Sequence, residues 1–434
     1  MPRLVLWHWL GARLALLFAC GLALTEPSGL AGSPFHPVTL ACAHLFVLGF
    51  LVPSMLGAYH VVARSALAMP LRADWRDVTI LVSALVVASG VASHMALGTY
   101  SGVAWSGALL LTALLLRVPS WWLELKGLRA PLPMRVGIGL SWLALLSTIG
   151  LGMALAIDRG APFLPLGHQQ ALFGHLHLGL GGFALCLAVS LDRWLLPMLR
   201  SSPAVLDAGV VCAVALGAFG LAATRTFGPE PGSFAGFCLG FGVLLFLFGR
   251  LLSLVLRWLV PVSPTLDRLV QHALPGDKPA RLLHLVAMLS LGGTLAIGLL
   301  LSQGKSDAPA LQLSYGVLAM LGYFGSMVFG FGVRLPPRAP WTDGRSELGS
   351  QALSAGDGMA PNEGAPGQPR HTTAVLVLPW ITAIGWCCGT ALLLVAIATG
   401  SAPLVAVSFV ALGIAVVADS VTLLAAWRRG PAAT

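Results

Sequence analysis

The sequence predicts an all-α, polytopic membrane protein with about twelve transmembrane helices in three pseudo-repeats of four. Three observations predict it: scarce charge, long unbroken apolar runs, and basic residues confined to alternate loops. Hydrophobic residues make up 57% of the 434 positions and charged residues 9%. The mean hydropathy is +0.87. A soluble domain carries roughly 25% charged residues, so too few are present here to cover a water-facing surface. Lipid must be the solvent for most of the chain. Spanning it takes about 20 consecutive apolar residues in a helix, because each backbone group must be satisfied within its own segment. A β-barrel would instead alternate over short strands.

Spans are expected near 5–25, 36–62, 77–97, 102–118, 135–157, 168–191, 206–225, 233–257, 282–302, 311–333, 373–397 and 402–426. The whole chain, 1–434, reads as a single transmembrane domain. The first span resembles a signal peptide, with Arg3 ahead of an apolar run, but is expected to stay as a true span. One set of loops holds Arg64, Arg72 and Arg76, then Arg117, Lys126, Arg129 and Arg135, then Arg193 and Arg200. The same set continues with Arg250 to Arg281, Arg334 to Arg370, and Arg428 with Arg429. The alternate loops hold only Arg159, Arg225 and Lys305. Basic residues mark cytoplasmic loops, so both termini are expected in the cytoplasm. The net charge of +9 is therefore topological, and no nucleic-acid partner is implied.

Residues 335–372, rich in Gly, Pro, Ser and Ala, read as a flexible cytoplasmic linker between the tenth and eleventh spans. Loops 118–134 and 258–281 suit short interfacial helices, with Trp121, Trp122 and Leu123 beside Lys126 at headgroup level. All seven cysteines fall in apolar runs without metal spacing, and are expected to be buried free thiols.

An internal echo points to function. In the second span His44-Leu45 runs to Gly49-Phe50, and in the sixth His177-Leu178 runs to Gly182-Phe183. In the tenth, Tyr315 and Val317 precede Gly322-Tyr323. The three segments lie about four helices apart, which suggests a threefold repeat of four-helix units. Of eleven histidines, six (His36, His44, His94, His168, His175 and His177) belong to the outer half under this topology. His44 lies about 12 Å below His36, and His175 and His177 about 10–13 Å below His168, at 1.5 Å per residue. His168 and His175 share one helical face and His177 points away from it. The five others, His8, His60, His272, His284 and His371, read as boundary or loop residues.

Ionisable side chains inside spans are expensive and usually functional. His44, His175 and His177 are the candidate cofactor ligands, and His168 and His36 are further candidate metal ligands. Iron in a porphyrin takes two neutral imidazoles on opposite faces. Copper also accepts imidazoles, with Met or Cys assisting.

His44-Leu45 through Gly49-Phe50, and Gly174 to Gly179 running on to Leu196-Pro197-Met198, resemble the haem–copper oxidase subunit I-like superfamily. The likeness is to its cbb3-like and stand-alone branches, with the NnrS-like family a more distant option. The resemblance implies twelve helices in three groups of four and haems toward the outer side. The seventh span lacks the family's histidine pair, the tenth carries Tyr315 and Val317, and the sixth has no His-x-x-x-Tyr motif. A complete oxygen-reducing haem–copper centre is therefore not expected. The expectation is a b-type haem protein with one or two haems, His44 and His177 ligating the first and His175 serving a second haem or a copper. Its role would be electron transfer or binding of a diatomic gas such as nitric oxide, as a haem-dependent oxidoreductase rather than a terminal oxidase. Partners implied are lipid and, through the resemblance, cytochrome c, quinol or other respiratory subunits. The competing readings are a histidine-lined metal transporter and a structural subunit of a respiratory complex.

Overall fold

In the computed structural model the described residues are 3–65, 75–127, 132–195, 204–228, 233–259, 277–303, 308–334 and 373–428. The expected linker at 335–372 lies outside them, as does most of the second expected interfacial helix. Among the described residues every regular element is helical. Twelve helices are long and apolar enough to cross a membrane. They are α1 Arg3–Thr25, α2 Pro37–Val61, α3 Trp75–Ala96, α4 Tyr100–Lys126, α5 Leu132–Asp158 and α6 His168–Leu191. The second half holds α7 Ala208–Phe227, α8 Phe234–Leu251, α9 Lys278–Ser302, α10 Pro309–Val333, α11 Val377–Thr399 and α12 Ala402–Ala425. Large apolar side chains stand on the outside of the bundle, Trp105 and Phe234 each 79% exposed. Such surface is tolerable only against lipid.

Burial is uneven. In α2, α6 and α10 the buried share is 67, 72 and 67%, against 22–56% in the other nine. These three form the centre, where α10 meets both α2 and α6. The remaining helices pack around them as sequential neighbours, and α1 closes the circuit against α12.

Each central helix changes pitch at the same place. A π-helical stretch occupies Leu45–Leu51 in α2, Leu178–Leu185 in α6 and Leu318–Gly325 in α10. Each begins at the residue after His44, His177 or Val317, the positions that align in the sequence echo. A π turn is costly in an isolated helix and is kept where tertiary contacts use it, often at functional sites. The glycines of these stretches let neighbours approach. A Cβ on Gly49 would meet the Ala15 side chain at 2.6 Å, and one on Gly182 would meet that of Ala144 at 3.0 Å. In α10 the Leu321 carbonyl accepts the Trp386 indole N–H at 3.1 Å, and the Trp386 ring fills the space a Cβ on Gly325 would need. Gly325→Ala is expected to lower stability by roughly 1–3 kcal/mol, as overpacking does. Thermal unfolding in detergent checks this; an unchanged midpoint would show that Trp386 can yield.

Two expectations need correction. The first expected interfacial helix exists as Val118–Gly127, the part of α4 beyond a break at Leu116–Arg117. Its Trp122 and Leu123 face outward as expected, 59% and 70% exposed, with the Lys126 ammonium over the Trp122 ring, but Trp121 is buried and stacks on Trp142 at 4.2 Å. The cysteines are not uniformly buried: Cys20, Cys42 and Cys186 are, but Cys212 and Cys388 are exposed on the bundle surface. Apolar context alone does not say which face of a helix meets lipid.

Candidate functional site

The site grows from how the central helices hold their histidines. His44 ends the α-helical first turns of α2, and its Nδ1 lies 2.8 Å from the Leu40 carbonyl. A carbonyl only accepts, so Nδ1 carries the proton and Nε2 keeps its lone pair. His177 repeats this in α6, its Nδ1 2.7 Å from the Phe173 carbonyl. This is the support that metal-bound imidazoles usually receive from a backbone acceptor. Both rings are thus fixed to their own helix and aimed at a neighbouring one.

The structure then decides the partners. His44 meets His175, with ring centroids 6.4 Å apart and planes 21° apart. Two imidazoles sharing one metal, at about 2.0 Å per bond, bring their centroids to about 6 Å. His177 instead turns to α10, where the Tyr315 hydroxyl donates to its Nε2 at 3.1 Å. The sequence-based pairing of His44 with His177 is therefore not the pairing the fold displays. As expected from helical geometry, His175 and His177 serve different interfaces.

His175 is accommodated by a cradle on α5. A Cβ on Gly152 would lie 2.9 Å from its Cε1, so a side chain there would displace the ring. Its Nδ1 is buried and makes no hydrogen bond of ordinary geometry, although the Thr148 backbone is a polar neighbour. Cys42, two residues before His44, donates its thiol to the Ala19 carbonyl on α1 and so faces away from the pair.

The two further candidates stand at the mouths of the same helices. His36 caps α2, its Nδ1 accepting the Val38 N–H at 3.4 Å, and its Nε2 lies 3.4 Å from Glu26. His168 opens α6, with Nδ1 3.5 Å from Asp158. That carboxylate also receives the Phe163 and Leu164 N–H groups at 2.7 and 2.8 Å. In both cases the acid precedes its histidine by ten residues. His94 lies apart, bound to Thr99 at 2.9 Å. Among the described residues, no group of three or more His, Cys, Asp or Glu side chains converges as a metal site.

Sequence reasoning missed the charged contacts. The fold brings Asp77 of α3 within 3.6 Å of His60 and 3.0 Å of Arg117, and Arg117 within 2.6 Å of Glu124. His8 of α1 adds its ring 5.8 Å from that of His60. In α12, Asp419 is fully buried against Arg13 of α1 at 2.8 Å. Arg13 and Asp419 each stand alone in an apolar run, and that isolation was the signal available.

Neither a family model nor a curated protein matches this chain.

Proposed function

We propose that the chain is a b-type haem protein of a bacterial inner membrane, with both termini cytoplasmic, acting in electron transfer or in binding a diatomic gas. The observation that carries this reading is the His44–His175 pair, at the separation of two imidazoles sharing one metal. Its surroundings favour a large apolar cofactor over a bare ion. The pair joins α2 to α6, two of the three most buried helices of the bundle. No carboxylate accompanies it among the described residues. A haem held by two neutral imidazoles carries one electron, and where a coordination position is open it binds a small gas. His44 would hold the iron from α2 and His175 from α6. Leu40 would fix the His44 ring, and Gly152 would leave His175 its place.

The matching π stretches and the two acid–histidine pairs at equal spacing support three pseudo-repeats of four helices. Placement beside the oxidase-like superfamily, without its complete oxygen-reducing centre, is proposed from the sequence motifs of α2 and α6.

The test is to purify the full chain in mild detergent and compare oxidised with dithionite-reduced visible spectra, with metal analysis on the same sample. A sharp reduced α-band with stoichiometric iron is the expected result. A spectrum without a Soret band overturns the haem reading. Bound copper in its place would turn the pair into a two-imidazole copper site, and a metal transporter would then become the leading reading.

A further inference from the structure

His175 differs from the other two central histidines in what holds it. His44 and His177 each donate from Nδ1 to the carbonyl four residues back. His175 Nδ1 makes no hydrogen bond of ordinary geometry among the described residues. Gly152 leaves the ring room on α5 without fixing its angle. The direction of that ring therefore follows the rotation of α6 about its own axis. A side-chain tip stands about 5–6 Å from a helix axis, so a turn of about 10° carries it about 1 Å. A metal bond tolerates about 0.2 Å. The opposite face of α6 carries two ties to its neighbours. Gln170 and His177 lie seven residues apart and share that face, with His175 on the other side of the helix. Gln170 Oε1 accepts from Arg225 Nη1 of α7 at 2.8 Å. The Tyr315 hydroxyl of α10 donates to His177 Nε2 at 3.1 Å. Between these ties Gly174 brings α6 against α7, where a Cβ would lie 3.1 Å from the Ala222 Cα. Gly298 of α9 backs the phenol ring, where a Cβ would lie 3.2 Å from Tyr315 Cε2. Both nitrogens of His177 are engaged, one on its own helix and one on α10, and neither is left for a metal.

From this we infer that His177 and Tyr315 are positioning residues: their hydrogen bond, with that of Gln170 and Arg225, fixes the rotation of α6 that aims His175 at His44. The inference rests on the haem reading of the His44–His175 pair. Its consequence is spectroscopic. The two imidazole planes stand 21° apart. In ferric haem with two imidazole ligands, the anisotropy of the g tensor follows the angle between those planes. Loosening α6 turns the His175 plane and leaves the His44 plane, which the Leu40 carbonyl holds. The iron keeps both ligands, but their planes move away from parallel.

The experiment records porphyrin iron per chain, the reduced α-band and the electron paramagnetic resonance spectrum of the ferric protein in mild detergent, at equal folded yield. It compares the wild type with Tyr315→Phe, His177→Leu, the double variant and His177→Gln. Tyr315→Phe and His177→Leu should keep the iron and the α-band but raise the largest g value. The double variant should show the same shift and no more, because both substitutions break one contact. It leaves no polar member of the contact unpaired, so it reports the rotation of α6 even where a single variant folds poorly. His177→Gln keeps an acceptor for the Tyr315 hydroxyl and should return the wild-type spectrum. Wild-type g values in Tyr315→Phe and in the double variant overturn the inference and leave the His44–His175 pair standing. Loss of the α-band in His177→Gln overturns it too, because His177 would then be a ligand. A wild type without porphyrin iron overturns the haem reading, and the inference with it.

Discussion

Arg13→Met or Asp419→Leu alone is expected to remove most of the folded protein, and the two together to restore it. The Arg13 Nε donates to Asp419 at 2.8 Å, and both side chains are almost wholly buried. Nη1 reaches the Ser54 hydroxyl at 3.4 Å, and the guanidinium lies over the Phe329 and Phe50 rings at 5.3 and 5.8 Å. Gly332 provides the room, since a Cβ there would lie 2.9 Å from Nη2. The pair therefore ties α1, α2, α10 and α12 together where the first and last helices meet. Removing one member leaves the other charge buried and unpaired, a loss of roughly 3–5 kcal/mol, whereas replacing both with apolar residues is often neutral. Monodisperse yield and thermal unfolding by size-exclusion chromatography read this out. Single variants as stable as wild type, or a double variant worse than either single one, would show that the pair does not act as a latch.

His44→Ala and His175→Ala are expected to have the same effect: complete loss of the low-spin bis-imidazole spectrum. Both rings belong to one pair, so under the proposed haem reading removing either would leave the iron one strong ligand short. Gly152→Leu should produce a partial version of the same loss, because its side chain enters the space of the His175 ring. His177→Gly should leave the low-spin signal intact. The comparison is between variants of equal folded yield, by reduced α-band height per chain. Loss of that band in His44→Ala and His177→Gly, with His175→Ala unaffected, would restore the pairing expected from the aligned sequence positions and sink the present one.

That pairing shows how far the sequence reaches. Periodicity places His175 and His177 on different faces of α6, and this is correct because helical geometry is local. It cannot say which neighbour each face meets. His44 on α2 and Tyr315 on α10 are 131 positions before His175 and 138 after His177, and only packing brings them together. The outer candidates show the same division. His36 and His168 were visible as histidines at span mouths, but their carboxylate partners Glu26 and Asp158 depend on how the intervening loops fold back.

What the sequence determined by itself is the class and the number of spans. Lipid imposes both through length and hydropathy, and each helix satisfies its own backbone without help from its neighbours. It also marked the three helices that carry the echo. What only the tertiary structure decided is that α2, α6 and α10 form the buried centre, that each changes pitch after its aligned residue, and that Arg13 finds Asp419. These depend on contacts between segments far apart in the chain, where lipid and protein interior are equally apolar. Hydropathy cannot tell those two environments apart, and small residues and polar contacts choose the partners.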